Sequence, residues 1–470
     1  MTPEIPGFAD TGSFRDRNGR VYLVGDRVIR GLSESALENF DLLAAQPFYR
    51  DGVNAGTLVE TWRLSMDDVP LAESVRTQWA GFVEHRRIPV ITYPYEWSFG
   101  MLKDAAELQL DLLESAISAG MTTKDATPYN FQFNAGRPVF IDIPSFEKLE
   151  RGSPWSGYRQ FCEMFLFPLI VQAYKGIDFQ PLLRAGIDGV PLQTAAGMFG
   201  LRDRLRSGVL SHVWLQSKLD KRYSGADIHV RQDLASAGFN EEMILANIRR
   251  LRKLVQRLDW DGSGSEWGEY ESFHNYSAAD QALKESFIDE CTAASGAQRV
   301  WDIGCNTGRF SRIAARHAEQ VIAMDKDHFA VERLYREIRS QAGGSVIPIL
   351  QDIANPSPNW GWRNRERLDL VSRFRPQLVL CLALVHHVVI SANVPVQEFV
   401  EWLASITDQL IIEYVSRRDE KVRILLRNKS DEYADYSRVR FESALSDRFT
   451  IERSQALESG NRFLYWCRRV

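Results

Sequence analysis

Apolar and polar positions alternate from Gly19 to Arg30 around Gly25 and Asp26, a period of two that predicts a short β-hairpin. From Ser33 to Ala45 the spacing of Leu37, Phe40, Leu42, Leu43 and Ala44 becomes that of an amphipathic helix, and Gly52 to Leu64 reads as strand again. A longer helix is predicted from Ser98 to Ser118, where Leu102, Ala105, Ala106, Leu110 and Leu113 build a broad apolar face and Gly120 supplies a stop. A loop from Thr122 to Asn130 leads into a second hairpin, turned at Asn134-Ala135-Gly136. From Trp155 to about Leu258 the pattern is mostly helical, as in Asn240 to Leu258.

Asp259 to Tyr270 concentrates Gly, Ser and acidic residues, a linker composition that sets the expected boundary near Gly264. Beyond it, apolar strands alternate with helices. The strands end near Cys305, Asp325, Asp352, Val385 and Val415, and the intervening helices are expected at Arg309 to Arg316, His328 to Gln341, Asn364 to Phe374 and Pro395 to Ser405. That rhythm predicts an α/β domain over 264–470, a doubly wound parallel sheet with helices on both faces. The preceding 1–263 reads as an α+β domain with a strand-rich lobe to about residue 97 and a helical lobe from 98.

A length of 470 residues agrees with more than one core, and 44% hydrophobic with 25% charged residues is ordinary globular composition. The net charge of −5 gives no global basic excess, so no nucleic acid or anionic membrane is expected as a partner. The longest apolar stretch, Met164 to Tyr174, contains Pro168 and Gln172 and falls short of the roughly 20 residues that cross a bilayer. No secretory signal is visible, and the cytosol is the expected compartment. Cys162, Cys291, Cys305, Cys381 and Cys467 form no CxxC pair and read as packed thiols. No pattern specifies an assembly state.

The candidate chemistry of the rear half begins at Val300-Trp301-Asp302-Ile303-Gly304-Cys305-Asn306-Thr307-Gly308, which ends a predicted strand and opens a helix. Small residues there let a backbone approach a ligand closely. The next strand ends in Asp325, where a carboxylate can accept from two ribose hydroxyls, and the third ends in Asp352. These residues resemble the cofactor motifs of class I S-adenosylmethionine-dependent methyltransferases over roughly Trp267 to Val470. Asp302, Gly304 and Gly308 match the family's acidic-x-Gly-x-Gly-x-Gly loop, with Asn306 in place of the middle glycine, a residue that still tolerates positive φ. The resemblance implies S-adenosylmethionine as cofactor, with Asp325 on the ribose and Asp352 at the adenine. A nicotinamide-dependent Rossmann enzyme is the rival, but it expects GxGxxG where this loop reads GCNTGR.

Methyl transfer is an in-line displacement that needs an aligned acceptor and, for a protonated one, a base. His386 and His387 follow the fourth strand, where the family places acceptor-side residues. If the segment stays extended through Val385 they face opposite ways, and His387 is the one expected to reach the acceptor while His386 packs. Glu413 and Tyr414 end the next strand and are acceptor-pocket candidates. The charge-rich stretch Arg417 to Lys429 reads as a solvated helix face or an anion site. In this family a helix preceding the first strand often covers the cofactor, which brings in Phe273 to Ser277, Tyr276 among them, and Lys284.

The front half carries a second motif. Asp125 stands five residues before Asn130, and Asp142 follows twelve residues later across a hairpin. This resembles the catalytic loop and metal-binding Asp of protein kinases and aminoglycoside phosphotransferases, which implies Asp125 as the acceptor-orienting base, Asn130 and Asp142 as metal ligands, and ATP with magnesium. The departures are Thr123 at the usual His, Pro144 at the usual Gly, no GxGxxG, and Arg30 nearest the phosphate-binding lysine, with Glu38 its possible helix partner. The bland reading is that Asp125 and Asn130 cap a turn. The whole arrangement resembles bacterial proteins with a kinase-like front half and a methyltransferase rear half, some of them labelled nodulation proteins. The expected function is methyl transfer to an unspecified acceptor. The alternatives are a bifunctional kinase-methyltransferase acting on a hydroxyl acceptor such as a glycan end, and a non-catalytic cofactor-binding protein.

Overall fold

A computed structural model of the chain describes residues 8–150, 153–218, 240–260, 276–341, 344–427, 429, 433 and 436–470. The expected boundary at Gly264, the Phe273–Asn275 part of the proposed cofactor cover and Asn428 lie outside them. The chain forms two compact units, Met1–Asp261 with Asn359–Arg367, and Gly262–Pro358 with Leu368–Val470.

In the front unit β1 (Phe8–Ala9), β2 (Gly19–Val24), β3 (Arg27–Leu32), β4 (Thr61–Leu64) and β5 (Gly81–His85) form an antiparallel sheet in the order β1-β2-β3-β5-β4. The β2–β3 hairpin turns through Gly25, whose φ of +58° a side chain would resist. Ser33 caps the helix Glu34–Ala44 by accepting from Ala36 N. Gly52 to Leu64 differs from the strand expectation. Pro47 starts a helix, Pro47–Asn54, because its fixed φ suits a first helical turn, and only Thr61–Leu64 is strand. The long helix Phe99–Ser118 starts at the Ser98 cap and buries most of its length, including Leu102, Ala105, Leu110 and Leu113. It leads to β6 (Met121–Thr123), the hairpin of β7 (Phe131–Asn134) and β8 (Arg137–Phe140), and β9 (Phe146–Lys148), which pairs with β6. The helix Glu241–Arg257 packs along Phe99–Ser118, with Arg249 and Arg252 paired to Glu114.

The rear unit is a seven-stranded sheet of β10 (Arg299–Ile303), β11 (Gln320–Asp325), β12 (Val346–Leu350), β13 (Leu378–Cys381), β14 (Gln409–Val415), β15 (Phe449–Ala456) and β16 (Arg462–Arg469). Its order is β12-β11-β10-β13-β14-β16-β15. The first five neighbours are parallel, while β16 runs antiparallel against both β14 and β15. The strand order reverses direction at β10, so the carboxyl ends of β10 and β13 flank the crevice where such sheets take ligands. Strands β10 to β14 are buried almost throughout, as the apolar runs required. The closing pair β15–β16 is absent from the sequence expectation; β15, at the sheet edge, is largely exposed, while Leu464, Tyr465 and Cys467 of β16 are buried.

The helix expected over Asn364 to Phe374 does not form as such. A 3₁₀ turn occupies Trp362–Asn364, with Arg363 and Asn364 at positive φ, and a single helical turn covers Leu370–Arg373. The reason lies in packing: Asn359–Arg367 belongs to the front unit. Its Glu366 side chain, 1% exposed, accepts from Arg15 Nε and Nη2 at 2.7 and 3.0 Å and from Trp362 N at 3.0 Å. Trp360 meets Tyr95 edge-on at 5.8 Å, and the Arg367 guanidinium lies 4.3 Å from the centre of the Tyr129 ring. All five cysteines are buried free thiols. Among the described residues no helix is long and apolar enough to cross a membrane.

Candidate functional site

The loop after β10 is shaped by its backbone. Gly304, Asn306 and Gly308 have φ of +76°, +50° and +79°, and a Cβ on Gly308 would come within 2.6 Å of Leu334. Gly304 N and Cys305 N donate to Met324 O at 2.8 and 3.0 Å, tying the loop to the end of β11. Asp325 completes the tie. Its Oδ2 accepts from Asn306 N at 2.8 Å and its Oδ1 from Asp327 N at 2.9 Å. Burial raises the Asp325 pKa, and these backbone donors work against that rise.

Around this turn lies a cavity of about 660 Å³, within the range of small-molecule sites. Gly304, Asn306, Asp325, Asp352, Tyr276, Lys284 and His387 all line it, so these sequence candidates are brought together. Asp302, Gly308, His386, Glu413 and Tyr414 are not in its wall. Asp302 is 1% exposed and accepts from Ser311 Oγ at 2.5 Å, and burial pushes its pKa up to about 6. It therefore braces the helix that follows the loop, behind the cavity wall. Gly308 likewise serves the turn.

The segment carrying the histidines differs from the extended one expected. Ala383 takes φ +51°, after which the chain winds into a π-helix, His387–Ser391. Successive side chains there turn by about a fifth of a circle or more rather than by half. His387 still reaches the cavity wall, while His386 is 1% exposed and its Nδ1 has no hydrogen-bond partner. Burial, with the cations Lys326 and Lys421 adding to it, lowers the His387 pKa to about 4, and burial holds that of His386 well below the usual imidazole value. At pH 7 burial therefore favours the neutral ring at both positions, and the His387 value lies below that of an unperturbed imidazole.

Tyr414 lies apart from the cavity wall. It stacks on Phe441 at 5.1 Å and tilts against Tyr436 at 5.3 Å, inside an aromatic cluster on the sheet. Its period-two neighbour relation decides this, since Glu413 takes the opposite face. Glu413 is fully buried and binds Lys284 Nζ at 2.6 Å, Tyr276 Oη at 2.9 Å and Arg462 Nη1 at 3.4 Å. Arg462 also donates from Nε to Asp419 Oδ2 at 2.9 Å. Arg462 lines the cavity, yet sequence reading missed it, because it lies on the unforeseen β16.

In the front unit Asp142 is already engaged. Arg30, on β3 and 8% exposed, donates to Asp142 Oδ1 and Asp16 Oδ2 at 2.5 Å each. A guanidinium cannot give up its charge and already occupies Asp142 Oδ1, so a metal at that oxygen does not fit this arrangement. Asn130 Nδ2 is buried without a partner, and Ile141 N donates to Asn130 O at 2.8 Å, which holds the loop to the hairpin. Asp125 is exposed, although nearby protein and the Asp142 charge raise its pKa. Among the described residues no group of three or more His, Cys, Asp or Glu is placed to hold a metal.

The fold and cavity together define a two-unit protein whose rear unit is a doubly wound α/β domain with a cofactor-sized site at the carboxyl ends of its strands. The chain belongs to the family of nodulation protein NoeA of Rhizobium meliloti (strain 1021), with 33% identity over 460 residues, 97% of this chain and 94% of that protein. No protein-family model matches it. Among solved structures, the N-methyltransferase NodS of Bradyrhizobium japonicum WM9 is 11% identical at a TM-score of 0.31, covering 41% of this chain and 98% of that one. Magnesium protoporphyrin IX methyltransferase of Synechocystis PCC 6803 with bound SAH is 17% identical at a TM-score of 0.31, covering 43% and 93%.

Proposed function

We propose that the protein is an S-adenosylmethionine-dependent methyltransferase whose front unit recognises the acceptor or a partner. The observation that carries this is Asp325, whose two oxygens each accept one backbone N–H and keep a further lone pair for a ribose hydroxyl. It stands in the wall of a cavity of sufficient volume, beside a loop that only small residues could form. The loop motif carries the same reading. When bound, S-adenosylmethionine supplies an electrophilic methyl group on a sulfonium.

The chain's own residues then bind and orient. Gly304 lets the backbone approach the ligand, Asp325 takes the ribose, and Asp352 stands in the same wall. His387 presents a mainly neutral imidazole in the same wall, which orients the acceptor by hydrogen bonding. Magnesium and ATP are left out of the reading because Arg30 occupies Asp142.

Calorimetry with S-adenosylhomocysteine tests the cofactor, and transfer of labelled methyl to a cell extract tests turnover. Binding with no transfer to any extract would make this a cofactor-binding protein instead.

A further inference from the structure

The chain carries a net charge of −5, yet residues 201–218 of the front unit hold Arg202, Arg204, Arg206 and Lys218 against one acid, Asp203. That acid is already spent. Asp203 accepts from Lys175 Nζ at 2.6 Å and lies 3.5 Å from Arg206 Nε. Arg204 and Lys218 have no carboxylate partner among the described residues. Both lie instead over the indole of Trp214, the guanidinium at 3.9 Å and the ammonium at 3.8 Å from the ring centre. Two like charges on one ring repel, so an anion set against both is held by each.

Leucines share this stretch. The 3₁₀ turn Arg202–Leu205 leads into the π-helix Val209–Leu215, whose Val209 and Val213 are buried and anchor it to the unit. Leu201, Leu205, Leu210 and Leu215 face water instead, exposed by 73, 93, 45 and 45%. Apolar side chains left this open recover their hydration cost only under a covering partner. Leu210, Trp214 and Lys218 follow one another at intervals of four, so an apolar chain, an indole and a cation lie in a row.

We propose that this face docks on an anionic membrane surface, the four leucines entering the acyl boundary while Arg204 and Lys218 bind headgroup phosphates beside Trp214. Leucines interleaved with cations around an indole match the chemistry of the bilayer interface. A nucleic acid would use the cations and the indole but leave the leucines in water. A protein interface keeps charge to its rim, whereas here cations and leucines alternate along Leu201-Arg202-Asp203-Arg204-Leu205-Arg206.

Co-sedimentation of the full chain with vesicles tests the surface. Wild type should pellet with vesicles of phosphatidylcholine and phosphatidylglycerol in equal parts and stay in solution with phosphatidylcholine alone. R204Q/K218Q should weaken the partition about 30-fold, the effect of two cations near an anionic surface. L201S/L205S should weaken it about 10-fold or more through lost apolar burial, and an unchanged thermal midpoint checks that each variant is folded. Wild type that ignores both vesicles or takes both equally overturns the proposal, as does binding that survives either double variant undiminished. Uptake of an oligonucleotide without vesicle binding would give the face to nucleic acid, and a dimer that L201S/L205S dissociates, again without vesicle binding, would give it to a second copy of the chain. Either result overturns the membrane reading.

Discussion

The backbone N–H of Asn306 donates to Asp325 Oδ2 at 2.8 Å, so the residue that ends β11 also fixes the left-handed turn that follows β10. Cavity wall and turn therefore share one carboxylate. Asp325→Ala should weaken S-adenosylhomocysteine binding by about 1.5–3 kcal/mol, the scale for a hydrogen bond to a charged group. Calorimetry showing unchanged affinity would remove Asp325 from the site.

The two histidines should separate in assay. His387→Gln should lower turnover at saturating cofactor and leave cofactor affinity nearly intact, because His387 stands in the cavity wall. His386→Gln should chiefly lower the thermal midpoint, because the ring is fully packed and the substituted amide brings polar atoms with no partner. The reverse order of effects would exchange their roles.

The pH dependence of stability follows from the same burial. His387 takes up a proton near pH 6.5 when unfolded and only near pH 4 when folded. Above pH 6.5 neither state is protonated and its contribution is whole. As the pH falls from 6.5 towards 4 the unfolded chain binds the proton first, and stability is lost. Asp302, raised to about 6, has the opposite sign and gains stability as the pH falls through that value. Urea unfolding at pH 7 and pH 5 should show a fall that His387→Gln reduces by about 1–2 kcal/mol.

At Tyr414 the hydroxyl should be dispensable while the ring is not. Tyr414→Phe should leave turnover at the wild-type value, and Tyr414→Ala should cost about 3–5 kcal/mol of stability through the cavity it leaves among Tyr436, Phe441 and Phe463. A rate loss in the Phe variant would return Tyr414 to the acceptor pocket.

Magnesium and ATP together should leave the thermal midpoint of the full chain unchanged at millimolar concentration, since Arg30 holds Asp142. A clear upward shift, abolished by Asp142→Ala, would reinstate the metal site.

What the sequence made legible was local. That the Gly304–Gly308 loop, Asp325 and Asp352 gather at one end of the sheet was readable, because a tight turn after a strand needs small residues and parallel strands bring their end residues to one edge. The pairing of Glu413 with Lys284 and Arg462 was not readable, because those residues stand 129 and 49 positions away along the chain. The winding of the chain after Ala383 was hidden for a different reason. Val385, Val388, Val389 and Ile390 are strand formers by propensity, and only tertiary packing makes them helical. In the front half the Asp125, Asn130 and Asp142 spacing was visible, but the guanidinium that neutralises Asp142 comes from a strand 112 residues earlier.

Because Asn359–Arg367 is folded into the front unit while the chain on either side of it is not, the protein cannot be divided into two working pieces by one cut. A fragment beginning at Gly264 would carry Trp360, Glu366 and Arg367 without Tyr95, Arg15 and Tyr129, leaving an acid and an indole stripped of their company. The complementary fragment would keep an Arg15 with nothing to hold. Expressing one half alone calls for repairing this nine-residue graft as well as choosing a cut in the linker.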